Sequence, residues 1–508
     1  MNAVDRLWDH ARTAPDSIAL RVGDQSWSYA QVRDLAAAWA ERLVSAEIKP
    51  GDRVLLVAPT SQEFAVVHQA ILAVGAIGVT VNSASTAVEL EYFLTDAECS
   101  LAIAWHETAE VARRAAETTG VELWTLEAGD IEVGPGADLD LPRPMAVDDT
   151  AVLLYTSGTT GKPKGAELTH GNLAACAEIV SGTLGSDSSD RVGTALPLFH
   201  VFGQVCVMMA TFHVGASLSL LRPFSGEALL RMAAAHRLTV LAGVPTMWNA
   251  MLHADVEVSR EDLAGLTHAL SGGAALPLAV ADAFRERFGC RVLDGYGLSE
   301  TTGAGTSAKL SVRRKEGSVG PALAQMKACV VDPQGDPVAP GERGEVALAG
   351  PVIMKGYWRR PEATAEVRRG EWFLTGDVGK QDEDGDIWIL DRKKDLVIRG
   401  GYNVYPREIE EVLYTHPDLR EVAVIGVPDD RLGEEVAAVY ATHPGREVDT
   451  AQLRAWLEER LSAYKVPRIY QEVPELPKGS TGKILKRQLD RGTVLEQGTK
   501  VTRERNAS

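Results

Sequence analysis

Cysteine is scarce in this chain, and its spacing builds nothing. Cys99, Cys176, Cys206, Cys290 and Cys329 are scattered through 508 residues with no CxxC pair among them. That excludes a zinc ribbon or a disulfide framework and fits a reducing, cytoplasmic setting. Long apolar runs are missing as well. The best stretch, residues 201–221, carries Gln204 and His213 and is divided by Gly215, so a buried helix followed by a strand is expected rather than a membrane span. Positive charge is in deficit, with 52 Lys and Arg against 70 Asp and Glu and a net charge of −18. Nucleic acid or an anionic membrane is therefore not expected as the main partner. The opening MNAVDRLWDHARTAPDS has charges throughout and no apolar core, so no signal peptide is expected. Internal repeats, heptads and long low-complexity segments are likewise absent.

What is present reads as α/β. A hydrophobic fraction of 45% and a charged fraction of 24% are ordinary for a globular protein. The length predicts two or more domains. Residues 29–43 form an alanine-rich helix with an apolar face of Val32, Leu35, Ala36, Trp39 and Leu43. A turn at Pro50-Gly51-Asp52 leads into a strand over 53–57, a helix over 64–74 and a strand over 78–81. This βαβ rhythm predicts mostly parallel sheets flanked by helices. Residues 101–104 and a helix to about Thr119 continue it, and a Gly/Pro/Asp-rich loop follows over 129–144. From about Gly317 short strands alternate with turn signals, which predicts a small antiparallel β subdomain. Its acidic run, residues 382–386, is expected to be a solvated hairpin turn. The last hundred residues look like a small α+β domain that frays from about Gly492.

The most informative stretch is residues 155–165, YTSGTTGKPKG, which opens after the apolar strand at 151–154. Its glycines let a backbone approach a ligand closely, while hydroxyls and lysines supply donors and positive charge. Such a loop suits a polyphosphate. It is not a Walker A loop, because Gly158 and Gly161 enclose only Thr159 and Thr160. The order Thr156-Ser157-Gly158-Thr159-Thr160-Gly161-Lys162-Pro163-Lys164-Gly165 resembles the phosphate loop of the adenylate-forming enzymes. These are the acyl-CoA synthetases, aryl-CoA ligases, peptide-synthetase adenylation domains and luciferases.

Further segments resemble that family's signatures in the family's order, over roughly residues 155–487. Residues 195–203, ALPLFHVFG, resemble the aromatic motif beside the acyl site. Residues 270–276, LSGGAAL, put five small residues together after an apolar strand, which leaves room for a flat adenine or an acyl chain to lie against them and equally suits tight helix–strand packing. Residues 294–302, DGYGLSETT, match the family's YGxTE motif with Ser299 in place of threonine; serine keeps the hydroxyl. Residues 372–377 end in the Gly376-Asp377 motif, and Asp391-Arg392-Lys393-Lys394-Asp395 match the hinge. Residues 477–487, PKGSTGKILKR, match the last motif.

The resemblance implies an ATP site at Thr156 to Lys164, Gly273, Ala274, Ala275, Asp294, Gly295, Tyr296, Gly297, Ser299, Asp377, Ile389 and Arg392. It places Tyr296 on adenine, Asp377 and Arg392 on ribose, and Glu300 with Thr160 at Mg²⁺. It makes Lys483 the catalytic lysine, with Glu300, Thr160 and His200 also serving catalysis. The acid would be walled by His200, Val201, Phe202, Gly203, Val244, Gly272, Gly273, Gly297 and Ala304. A large domain (1–392), a hinge (393–395) and a small mobile lid (396–508) are implied. The lid would turn about Lys394 and bring Gly400, Gly401 and Tyr402 to the CoA thiol.

The implied activity is ATP-dependent formation of an acyl-adenylate and transfer of the acyl group to CoA. No lysine or arginine occurs in residues 199–204 or 295–307, which favours an apolar fatty or aryl monocarboxylate, although Arg222 or Arg313 could still enter the pocket. The acceptor stays open at this level, because an amine or a carrier-protein thiol would use the same adenylation motifs. A luciferase-type oxygenase and a nucleotide-binding regulator are more distant readings, and the intact lysine counts against the regulator. A homodimer would be ordinary for such a protein.

Overall fold

The computed structural model describes residues 1–129, 139–156, 162–308, 315–393, 395–479 and 483–501. Two large sheets carry the first part of the chain. One runs, in spatial order, through Gly356–Tyr357, Lys164–Thr169, Thr150–Thr156, Ile77–Thr80, Arg53–Val57, Cys99–Trp105 and Glu122–Leu126. The other runs through Thr306–Ser307, Val292–Tyr296, His268–Ser271, Val240–Gly243, Arg191–Thr194, Ser217–Leu220, Ile18–Val22 and Gln25–Ser28. The first is antiparallel only at its Gly356–Tyr357 end and parallel elsewhere, and the second is parallel in the middle and antiparallel at both ends. Their central strands are largely apolar. Val240–Gly243 and Ile77–Thr80 are buried at every residue, as strands covered on both faces must be.

The helix Gln62–Ala73 is buried around nearly its whole circumference, and one core cluster includes residues of both sheets. Ser61 caps it by accepting the Phe64 N–H. The helix Tyr29–Ser45 starts in a capping box between Ser28 and Gln31 and buries the face expected from its periodicity. The first hairpin, Ile18–Val22 with Gln25–Ser28, has too short an alternation to stand out in the sequence.

The stretch that held the membrane question becomes a π-helix, Phe202–Met209, continued by the α-helix Ala210–Val214 and the strand Ser217–Leu220. The expected helix-then-strand order holds, but the wider π winding leaves no mark on an apolar run. Among the described residues no helix is long and apolar enough to cross a membrane.

An antiparallel sheet of Lys327–Val331, Arg343–Ala349, Trp372–Gln381, Arg368–Arg369 and Ile387–Arg392 forms the β subdomain. The acidic turn at 382–386 is not simply solvated. Lys315 Nζ lies 2.5 Å from Asp382, 2.7 Å from Asp384 and 3.3 Å from Asp386.

After Arg392 the chain enters a different sheet, beginning with Val397–Arg399. Its spine is the hairpin of Leu419–Asp429 and Gly433–Thr442, covered by Pro406–Leu413 and Thr450–Glu458. The tail expected to fray instead forms the helix Arg491–Gln497, capped by Asp490, and a short edge strand Thr499–Lys500. Val494 anchors it in a second small core with Ile469 and Leu476.

Candidate active site

The ends of several strands open into one cleft of about 1030 Å³, lined by both the large and the small domain. The strand Val292–Tyr296 delivers Asp294, Gly295 and Tyr296 to it, and the short helix Ser299–Thr301 delivers Glu300. Tyr296 donates its hydroxyl to Asp377 Oδ2 at 2.6 Å. Asp377 and Arg392 are cross-strand partners in the β subdomain, and Arg392 Nε lies 3.5 Å from Asp377 Oδ1. Burial raises the proton affinity of Asp377, while Arg392, the Tyr296 hydroxyl and Lys483 all oppose that rise. A carboxylate held this way is oriented to accept hydrogen bonds from a vicinal diol. Gly273, Ala274, Ala275, Gly297, Ser299 and Ile389 share the cleft wall.

At the phosphate end, the antiparallel pair Thr150–Thr156 and Lys164–Thr169 sets Thr156 directly opposite Lys164. The expected strand at 151–154 therefore extends two residues further and returns as a hairpin. Its connecting residues Ser157, Gly158, Thr159, Thr160 and Gly161 lie outside the described residues, as does Lys394. Thr156 Oγ1 donates to Glu300 Oε1 at 3.2 Å, and the Tyr357 hydroxyl donates to the same oxygen at 2.9 Å. Lys164 Nζ lies 5.2 Å above the Tyr357 ring, and Lys162 Nζ lies 5.6 Å above Tyr92. Tyr357 has no sequence signal, since its partner is 57 residues away.

The opposite end is apolar. His200, Val201, Phe202 and Val244 line it. His200 Nδ1 accepts the Phe202 N–H at 3.3 Å, which leaves the proton on Nε2. Burial, aided by the Lys483 charge, lowers the His200 pKa to about 4, so the ring is neutral at physiological pH. Three residues expected in this wall lie behind it. Gly203 packs on the Pro197 backbone, Gly272 is covered by the Phe202 ring, and Ala304 is buried. Arg222 does not enter the pocket: it pairs with Glu107 at 2.6 Å and lies over Trp105. Arg313 lies outside the described residues.

The small domain contributes Lys483. It lies within the isolated Lys478–Ile484 bridge, and its carbonyl accepts the Gly479 N–H at 2.8 Å. It lines the same cleft as His200 and Asp377, and its charge acts on both. An ion cluster beside it joins the domains. Arg407 donates its backbone N–H to Asp391 Oδ2 at 3.0 Å and its guanidinium to the Ile389 carbonyl at 2.7 Å. Lys486 pairs with Glu410 at 2.7 Å and acts on Asp391. By contrast, Gly400, Gly401 and Tyr402 are outside the cleft. Tyr402 is exposed and stacks on Tyr464 at 5.0 Å.

Residues 7–358 match the family model described as AMP-binding enzyme, and residues 408–483 match the AMP-binding enzyme C-terminal domain. The chain belongs to the AMP-binding enzyme family. It is 38% identical over 484 residues to a feruloyl-CoA synthase of Amycolatopsis sp, covering 95% of this chain and 97% of that protein. It is 34% identical over 521 residues to a long-chain-fatty-acid–CoA ligase of Bacillus subtilis (strain 168), covering 95% and 93%. Among solved structures, ATP-bound MatB from Rhodopseudomonas palustris is similar with a TM-score of 0.91 at 34% identity, covering 97% of this chain and 99% of that one. Apo MatB gives 0.79 at the same 34% identity, covering 98% and 100%. These are two states of one protein, and this chain is more similar to the ATP-bound one.

Proposed function

We propose that this enzyme activates an apolar monocarboxylic acid with ATP and passes the acyl group to CoA. The observation that carries this is the convergence on one cleft of Lys483 from the small domain, Asp377 and Arg392 from the β subdomain, Thr156 from a large sheet and Glu300 from the short helix Ser299–Thr301. In the first step a carboxylate oxygen attacks the α-phosphorus of ATP, the bond to the bridging oxygen breaks, and pyrophosphate leaves. Positioning and charge stabilisation catalyse such a step. Lys483 neutralises the charge that develops between carboxylate and α-phosphate, and Asp377 and Arg392 hold the ribose. Thr156, Lys162 and Lys164 face the outer phosphates. The Glu300 carboxylate, oriented by two hydroxyls, is a hard oxygen donor fit to hold Mg²⁺, which would supply further charge neutralisation.

In the second step the CoA sulfur attacks the carbonyl, AMP leaves and the thiol proton is released. The change of sheet between Arg392 and Val397 supports a hinge at 393–395, between a domain of residues 1–392 and a lid of 396–508. Turning there would withdraw Lys483 and bring in the Gly400–Gly401 loop. CoA is favoured over an amine or a carrier protein because the relatives compared above are CoA synthases and ligases. Five free cysteines support a reducing cytoplasmic setting.

The test is a panel of carboxylic acids with ATP and Mg²⁺, following pyrophosphate release and product mass with CoA, with an amine, and with neither. A CoA-dependent thioester supports the reading. An amide formed while CoA is ignored would move the enzyme to the amide-forming class, and no adenylate from any acid would overturn it.

A further inference from the structure

Tyr357 is fastened from several sides. Its strand, Gly356–Tyr357, pairs antiparallel with Lys164–Thr169 and sets Tyr357 opposite Ala166. The Tyr357 N–H donates to Thr364 Oγ1 at 2.9 Å, and the Tyr357 carbonyl accepts the Arg360 N–H at 3.0 Å. The turn closed in this way holds Arg359 in the left-handed region, at a φ of 53°, which a residue with a side chain adopts only where its surroundings impose it. Thr364 also packs on Gly356, where a Cβ would stand 3.1 Å from it. All of this constraint bears on a side chain that lines the cleft.

That side chain touches two charges of opposite sign. Its hydroxyl donates to Glu300 Oε1 at 2.9 Å, and Thr156 Oγ1 donates to the same oxygen at 3.2 Å. A carboxylate oxygen has two lone pairs, so Oε1 is filled and Oε2 is the oxygen left for a cation. The ring meanwhile lies under Lys164 Nζ at 5.2 Å. The register explains that contact. Lys164 and Ala166 are two apart and share a face, which makes Lys164 the diagonal neighbour of Tyr357. Thr156, opposite Lys164, brings the second hydroxyl from the adjoining strand. Glu300 thus takes its side-chain hydrogen bonds from neutral hydroxyls, and Lys164 rests on a neutral ring. Among the described residues the two are not paired with each other, although both touch Tyr357. An ammonium on a flexible stem beside an acceptor carboxylate would otherwise close on it. Such a pair would withhold the carboxylate from a metal and the ammonium from a phosphate.

We propose that Tyr357 is a positioning residue that holds Glu300 and Lys164 apart, its hydroxyl turning Glu300 toward Mg²⁺ and its ring seating Lys164 for the outer phosphates of ATP. This rests on the adenylate-forming reading above. Without this side chain, Lys164 would pair with Glu300 and mask both groups at once.

The test is calorimetric titration of the whole enzyme with ATP, without acid, once in Mg²⁺ and once in a chelator. Melting temperature is measured for each variant. Tyr357→Phe keeps the ring and removes the hydroxyl. Its metal-free ATP affinity should stay within about twofold of wild type, while the gain in affinity on adding Mg²⁺ should shrink about tenfold, the effect of one hydrogen bond to a charged group. Tyr357→Leu removes ring and hydroxyl together. Its metal-free affinity should also fall, by about fivefold, because Lys164 loses its seat and is captured by Glu300. Tyr357→Leu/Glu300→Gln removes the captor, and metal-free affinity should return to within about twofold of wild type. A fold that had merely loosened would not be restored by the loss of a second side chain. Tyr357→Met takes the place of Tyr357→Leu should the latter not fold. A wild type with equal affinity in both conditions would overturn the proposal, as would Tyr357→Phe with the wild-type gain from Mg²⁺ or with equal losses in both. So would a folded Tyr357→Leu whose metal-free affinity is intact, or is lost and not recovered in the double variant. A wild type that binds ATP in neither condition would overturn the nucleotide-site reading itself, before any variant is compared.

Discussion

Asp377 and Arg392 face each other across the antiparallel pairing of Trp372–Gln381 with Ile387–Arg392, and the Tyr296 hydroxyl closes on the same carboxylate at 2.6 Å. Three segments of chain thereby fix one acceptor that is 4% exposed. Asp377→Asn keeps the shape and removes the charge. Hydrogen bonds to a charged group contribute about 1.5–3 kcal/mol, so the KM for ATP is expected to rise roughly ten- to a hundredfold. The KM for the acid should change little. Steady-state kinetics with each substrate varied decides it, and an unchanged ATP dependence would remove Asp377 from the nucleotide site.

Lys483 is expected to act in only one half-reaction. Lys483→Ala should slow acid-dependent pyrophosphate exchange by about a hundred- to a thousandfold, the scale seen when a preorganised charge-stabilising donor is lost. ATP affinity should stay within about threefold, since the ribose and outer-phosphate groups remain. The variant supplied with synthetic acyl-adenylate should still make thioester at close to the wild-type rate. Normal exchange in Lys483→Ala would sink the assignment.

Legibility in the sequence followed how local each feature is. Thr156, Glu300, Asp377 and Lys483 stand out because each sits in a short run that resembles a signature of the adenylate-forming enzymes. The parallel strands stand out because Val240–Gly243 is apolar throughout and Ile77–Thr80 is apolar up to its final threonine. Tyr357 on Glu300, Lys315 on the acidic turn, and Lys486 and Arg407 around Asp391 do not, because each joins residues brought together only by the fold. The seat of the Phe202 ring on Gly272 was hidden for the same reason, because it depends on which residues the fold brings together.

Asp391 gives the domain junction a pH dependence. Burial raises its carboxyl pKa to about 6, with Glu410 adding to the rise, while Lys486 and the N–H groups of Arg407 and Arg392 oppose it. The folded state therefore disfavours the charged form, and stability falls as the pH rises from the unfolded value near 3.9 to about 6. Asp391→Asn removes this slope. The stability of wild type relative to the variant should fall by about 3 kcal/mol across that window. Denaturant unfolding of both proteins at a series of pH values measures it, and a constant difference would show that Asp391 is not the group responsible.

The loop proposed to meet CoA can be tested because it is idle in this arrangement. Gly400 and Gly401 have φ of +56° and +87°, and a Cβ on Gly401 would meet nothing within 4 Å. A side chain there costs about 1–2 kcal/mol of backbone strain in an exposed hairpin and disturbs no packing. Gly401→Ile should therefore leave single-turnover adenylate formation within about twofold of wild type. After rotation the same side chain would stand where the thiol must approach, and a misplacement of about 1 Å can slow a reaction roughly a hundredfold. CoA-dependent consumption of the adenylate is expected to drop by about that factor. Quench-flow measurement of the two steps separates them. Equal loss in both would point to a folding defect, and full CoA turnover would place the thiol's path elsewhere on the small domain.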